Sequence, residues 1–234
     1  MKVLLLAAGL GTRLRPITYT IPKCLVPICG KPLLEIWLER LTDAGFGPFL
    51  INTHYFPEKV EEFLAGLENK YDVQTVFEPT LLGTAGTLLK NLNFFEGQDA
   101  LIAHADNYCL ADFYAFREAH ERRPSKCEMT MMTFRTDTPE SCGIVNLDEF
   151  NIVQQFHEKK KNPPGDLANG AIYLLSGAMI ENIRGNFSAK TFDFSTEVIP
   201  KFLGKIYSYE TFAPLIDIGT PSSLVRAQGY QSGL

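Results

Sequence analysis

The chain lacks any hydrophobic run approaching the ~20 residues needed to cross a bilayer, which argues against a membrane-spanning reading of its 234 residues. It also lacks an excess of basic charge. With 22 Lys and Arg against 27 Asp and Glu, the net charge is -5, and no general basic face is offered to nucleic acid or an anionic membrane. Cysteine is sparse: Cys24, Cys29, Cys109, Cys127 and Cys142 are odd in number and irregular in spacing. Reduced thiols are expected, not a disulfide framework. Cys24 and Cys29 have no second Cys or His pair at zinc-finger spacing. The apolar start, Met1 to Ala8, is too short for a signal peptide, and a charged glycine loop stands where a cleavage site belongs. No internal repeat, low-complexity tract or long linker breaks the chain. The expectation is one cytoplasmic domain over 1–234.

What is present begins at once. Val3 to Leu6 is a continuous apolar run, as for a parallel strand covered on both faces, and Ala8, Gly9, Gly11, Thr12 and Arg13 follow it. Glycine lets main-chain N–H groups reach a phosphate without a Cβ in the way. Arg13, Arg15 and Lys23 add local positive charge against an acidic background, a combination suited to a small polyanion such as a nucleoside triphosphate. Two better-known glycine motifs fail here. A Rossmann fingerprint requires glycine where Leu14 stands, and no Gly-Lys-Ser/Thr tripeptide of a P-loop follows a strand.

The chain then alternates. Helical spacing of Leu34, Trp37, Leu38 and Leu41 predicts a helix over Lys31 to Ala44, Phe49 to Asn52 a strand, Pro57 to Leu67 a helix and Val73 to Phe77 a strand. This βαβαβ order implies an α/β fold with a Rossmann-like, mixed but mainly parallel sheet flanked by helices. A second glycine loop, Glu78 to Leu88, contains Gly83 and Thr84, and Leu101 to Asn107 reads as a buried strand with Asp106 at its carboxyl end. Beyond Arg123, Met129 to Phe134 predicts a strand. Gly143 to Asp148 with Ile152 to Phe156 predicts a hairpin, Lys160 to Gly165 a loop, and Ala168 to Leu175 a strand. Helices are expected near Ala178 to Ile183 and Thr196 to Leu203, the latter capped by Ser195, and from Ser222 to Gly229.

Gly9-Leu-Gly11-Thr12-Arg13-Leu-Arg15-Pro16 with Pro22-Lys23 downstream resembles the signature of the sugar-1-phosphate nucleotidyltransferases, the nucleoside-diphosphate-sugar pyrophosphorylases. The resemblance covers nearly the whole chain, least in Asp112 to Glu140. It implies the nucleotide-diphospho-sugar transferase fold, with a nucleotide-binding half over about 1–142 and an acceptor-binding half over about 143–234. Many relatives carry a C-terminal left-handed β-helix of hexapeptide repeats, and no such pattern is expected here. The implied nucleotide contacts are Leu6, Ala8, Gly9, Gly11, Thr12, Arg13, Lys23, Gly83, Thr84 and Asp106. Catalysis falls to Arg13, on the β- and γ-phosphates, to Lys23, near the α-phosphate, and to Lys159, on the acceptor phosphate. Gly143, Glu158, Lys159 and Asn169 match acceptor-binding positions. Asp106 and Asp217 match the two acids that hold Mg²⁺.

The reaction implied is attack of a sugar 1-phosphate on the α-phosphorus of a nucleoside triphosphate, with loss of pyrophosphate. The attacking oxygen is already ionised, so no general base is needed and His54, His104, His120 and His157 are assigned to packing or surface. Leu82-Gly-Thr-Ala-Gly86 looks closer to guanylyltransferases using mannose or heptose 1-phosphate, which favours GTP. Two departures, Lys160 after Glu158-Lys159 and Leu215 before Asp217-Ile-Gly-Thr220, weaken any assignment of the acceptor. A cytidylyl- or uridylyltransferase acting on another phosphorylated acceptor, or a non-catalytic nucleotide-binding regulatory subunit, are the alternatives. The expected partners are small molecules, with no nucleic acid and no membrane, for a monomer or small homo-oligomer.

Overall fold

The computed structural model describes residues 1–67 and 70–230. The chain divides into two compact units: Met1–Leu81 with Ala103–Ala111 and Ala213–Leu234, and Leu82–Ile102 with Asp112–Phe212. Among the described residues no helix is long and apolar enough to cross a membrane.

The first unit is built on the strand Lys2–Leu6, whose Val3, Leu4 and Leu5 are fully buried. It pairs in parallel with Phe49–Thr53, which pairs in parallel with Val73–Phe77. Helices Leu33–Asp43, Pro57–Ala65 and Pro221–Gln228 supply the covering layers. In the first of these, Leu34, Trp37, Leu38 and Leu41 recur at helical spacing and are buried. The Trp37 indole N–H donates to Asn107 O at 2.8 Å, so its polar edge is satisfied inside the core. A short antiparallel ribbon joins Leu215–Asp217 to Asn107–Cys109, with Asp217 opposite Asn107. Leu101 to Asn107 is therefore not one strand: Ala100–His104 and Asn107–Cys109 are separated by a turn at Ala105 and Asp106.

In the second unit the strand Leu167–Leu175 lies antiparallel to both Met129–Arg135 and Gly143–Leu147. Met129–Arg135 pairs in parallel with Ile206–Glu210, and Gly143–Leu147 forms the expected hairpin with Val153–Glu158. The strands are thus mixed in direction and flanked by helices as expected. Helix Phe113–Glu121 and the strand Ile206–Glu210 lie in stretches with no sequence expectation. The helix expected over Thr196 to Leu203 is instead a π-helical turn, Phe194–Val198, followed by a 3-10 turn, Ile199–Lys201. Its cap is Asp193, not Ser195: the Asp193 carboxylate accepts from Thr196 N–H at 2.8 Å. His120 is fully buried and its Nδ1 lies 2.8 Å from the Thr130 hydroxyl, a packing role. Burial lowers its pKa, although the neighbouring Asp99 acts in the opposite direction.

Candidate active site

Lys23 begins a 3-10 turn, Lys23–Leu25, and is 4 % exposed. Burying an ammonium group is costly unless opposite charge meets it. Two carboxylates do: Lys23 Nζ lies 2.8 Å from Asp106 Oδ2 and 2.6 Å from Asp217 Oδ1. Asp106 comes from the turn before Asn107–Cys109 and Asp217 ends Leu215–Asp217, so the ribbon that pairs Asn107 with Asp217 brings the acids together. Arg13, in the turn Thr12–Leu14, completes the cluster with its Nη2 3.0 Å from Asp217 Oδ2. Burial works against ionisation of Asp217, but the Lys23 ammonium and the Arg13 guanidinium outweigh it and hold the carboxyl below the ordinary range. Cys24, buried beside them, is pushed up to about 12 by burial and by the Asp106 charge, so its thiol stays protonated.

The glycine loop is held from beneath. Gly11 has φ +61°, and a Cβ there would fall 2.9 Å from Thr18 Cγ2, so both conformation and space require glycine. The buried Thr18 hydroxyl donates to Gly11 O at 2.7 Å, and Tyr55 OH donates to Thr18 O at 2.8 Å. Gly9 has open space where a Cβ would point. Leu6 ends the strand Lys2–Leu6, Ala8 is buried, and Thr12 and Arg13 enter the 3-10 turn. Gly219 lies against the ion cluster, where a Cβ would come 2.8 Å from Arg13 Nη2.

The acceptor candidates fall in the second unit on adjoining strands. Gly143 is directly opposite Glu158 in the hairpin, and its missing Cβ would meet Glu158 Oε2 at 2.7 Å. Lys159 follows with φ +44°, and its exposed ammonium lies 3.4 Å from Glu158 Oε1. Asn169 lies one residue after Ala168, the partner of Ile144. Its Oδ1 accepts from Ala171 N–H at 3.0 Å and its Nδ2 donates to Tyr173 OH at 2.7 Å. Gly83 and Thr84 open the helix Gly83–Lys90, also in this unit. The Thr84 hydroxyl accepts Phe194 N–H at 2.7 Å and so braces the π-helical turn. Arg13, Lys23, Asp106 and Asp217 are thus joined by ion pairs; Gly143 and Glu158 are strand partners, Lys159 follows Glu158 in the turn, and Asn169 lies on the strand that pairs with Gly143–Leu147.

Sequence reasoning missed Thr18, Asn52 and Glu78. Asn52 is 3 % exposed, accepts Ala7 N–H at 2.7 Å and donates to Glu78 Oε1 at 3.0 Å. The available signal was a carboxamide following the apolar run Phe49 to Ile51 within the strand Phe49–Thr53.

A glycine loop beyond a parallel strand, with two cations and two converging acids close by, is the feature on which this α/β protein can be compared with others. The chain belongs to the nucleotidyl transferase family, whose model matches residues 2–231. It is 31% identical over 97% of its length to a mannose-1-phosphate guanylyltransferase of Mycobacterium tuberculosis, covering 63% of that protein. The chain spans less than two thirds of the length of the curated relatives it matches, including a mannose-1-phosphate guanyltransferase of Candida glabrata, 64% covered at 29% identity. Among solved structures it resembles HddC from Yersinia pseudotuberculosis, at TM-score 0.80 and 28% identity over 97% of this chain and 98% of that one. HddC has also been solved in complex with GMP-PN. A putative glucose-1-phosphate thymidylyltransferase from Bacillus anthracis matches the fold at TM-score 0.87 and 24% identity, covering 98% of this chain and 94% of its own.

Proposed function

We propose that the chain is a sugar-1-phosphate nucleotidyltransferase acting as one domain, with GTP as the favoured nucleotide. The observation that carries this reading is the cluster in which Lys23 bridges Asp106 and Asp217 while Arg13 bonds Asp217. Two bases and two acids from three distant stretches of chain converge in it, and Lys23 is shared between both acids. Such a site holds two polyanions in line against their mutual repulsion. Arg13 grips the β- and γ-phosphates, Lys23 offsets charge at the α-phosphate, and the backbone from Leu6 to Thr12 lies along the nucleotide. Gly83 and Thr84 shape the base side. Lys159 holds the acceptor phosphate, with Gly143, Glu158 and Asn169 taking the acceptor's hydroxyls and body; at Gly143 the missing Cβ lets the Phe156 ring and the Glu158 carboxylate close in on the strand. The relatives named guanylyltransferases and the GMP-PN complex of HddC support guanine over other bases.

The donor set fits Mg²⁺. Among the described residues no three of His, Cys, Asp and Glu gather as a metal cage, but Mg²⁺ usually takes only one or two carboxylates and fills its remaining positions with water and phosphate oxygens. Asp106 and Asp217 already turn oxygens toward one cation, the Lys23 ammonium. A bound Mg²⁺ would offset charge on the reacting phosphates. Small-molecule substrates in the cytoplasm, with no nucleic-acid or membrane partner, complete the reading.

The test is Mg²⁺-dependent pyrophosphate release with ATP, CTP, GTP, UTP or dTTP and a panel of hexose and heptose 1-phosphates. Turnover with GTP and one sugar phosphate is expected. No turnover with any pair, while nucleotide still binds, would favour a regulatory subunit.

A further inference from the structure

Ala7 is the first residue after the strand Lys2–Leu6 and leads into the loop at Ala8 and Gly9. A buried backbone N–H requires an acceptor. That of Ala7 is a side chain, Asn52 Oδ1 at 2.7 Å, from the end of the neighbouring strand Phe49–Thr53. A carboxamide has two ends of similar size and opposite chemistry, and only its oxygen can receive the Ala7 proton. What selects that orientation is Glu78, 1 % exposed, whose Oε1 accepts from Asn52 Nδ2 at 3.0 Å. With the Glu78 oxygen as acceptor on one side and the Ala7 N–H as donor on the other, the carboxamide turns its nitrogen to Glu78 and its oxygen to Ala7. Glu78 is itself fixed at both backbone groups. Its N–H donates to Thr53 O at 2.9 Å, and its carbonyl lies 2.7 Å from His54 Nδ1.

We propose that Asn52 and Glu78 are positioning residues for the nucleotide: Glu78 orients the Asn52 carboxamide, and that carboxamide sets the direction in which the loop Ala8 to Thr12 leaves its strand. The proposal rests on reading this loop as the triphosphate site. The pair touches no substrate in this account. It acts through the Ala7 amide, so its loss should weaken nucleotide binding and leave the acceptor side alone.

A reciprocal exchange tests it. Asn52→Asp sets two carboxylates face to face, which cannot both ionise without strong repulsion. Nucleotide affinity in this variant should fall about tenfold at pH 8 and recover toward pH 5.5 as the pair takes up a proton. Adding Glu78→Gln restores one donor and one acceptor in reversed order, and affinity should return to within about threefold of the parent with no pH dependence. His54, the titratable neighbour at the Glu78 carbonyl, is present in every variant and cancels. Calorimetric titration uses the tightest binder among ATP, CTP, GTP, UTP and dTTP, with KM for the sugar phosphate measured alongside. Parent-like affinity of N52D at pH 8, or a double variant as weak as N52D, overturns the proposal. An equal rise in the acceptor KM also overturns it, since that marks general damage. If N52D does not fold, Glu78→Gln alone carries the test. It frees the carboxamide to turn over, and unchanged nucleotide affinity overturns the assignment. If the parent binds no triphosphate, it is the site reading that has failed. The Ala7 amide resonance then decides the orientation claim, which requires a pH titration in N52D that is absent from the parent and the double variant.

Discussion

At the scale of single residues the proposed reading gives each charge its own duty, and substitution should separate them. Asp106→Asn or Asp217→Asn is expected to lower turnover about 10²–10³-fold with a smaller effect on nucleotide affinity, because the acids matter most as charge redistributes in transfer. Lys159→Ala should raise KM for the sugar phosphate and leave nucleotide binding near normal, since Lys159 lies on the hairpin with Gly143 and Glu158. Arg13→Ala should injure the nucleotide side. Steady-state kinetics and binding titrations on the four variants check the assignment, and a Lys159→Ala protein that lost nucleotide affinity alone would reverse it. These charged positions were legible because charge stands out beside glycine in an apolar context. Asn52 and Glu78 were not, since a carboxamide and a carboxylate 26 residues apart give no local sign that they will meet. Nor did the sequence reveal that Lys23 would be held by both acids at once.

Elements carry the next set of constraints. Gly83 opens the helix Gly83–Lys90 at φ +74°, and a Cβ there would fall 2.3 Å from Phe192 O and 2.7 Å from the Phe192 ring. Gly83→Ala should therefore destabilise by roughly 1–3 kcal/mol. Gly165→Ala has nothing within 4 Å of its new methyl and should stay within about 0.5 kcal/mol of the parent. Urea denaturation of both variants provides the comparison, and equal midpoints would remove the steric argument. The same region shows why some elements escaped the sequence reading. Thr196 to Leu203 has helical composition, but Pro200 interrupts it and Asp193 supplies the cap three residues upstream of Thr196. Ile206–Glu210 is a short strand whose buried Ser208 finds its partner in Thr133, 2.8 Å away on Met129–Arg135. Such pairing depends on a distant strand and leaves little local pattern. Where periodicity was strong, as in Leu33–Asp43 and Val73–Phe77, the element type was legible and its bounds were close.

For the whole molecule, a ligand that binds only the folded chain adds stability by mass action. At 100 times its dissociation constant that is about 2.7 kcal/mol, or roughly 5–10 °C in Tm for a chain of this size. The favoured triphosphate with Mg²⁺ should give such a rise by differential scanning fluorimetry, and no rise with any of the five would count against a nucleotide site. The two compact units interleave along the chain, an arrangement set by long-range contacts and hidden from local pattern. That interleaving matters during synthesis. Asp217, one of the two counter-charges of Lys23, lies 194 residues later, or roughly 10–40 s at 5–20 residues per second. Residues 112–212 of the second unit are made within that interval. The nascent chain therefore carries an incomplete charge cluster until Asp217 is made, and the sequence of the first unit is completed only after that of the second.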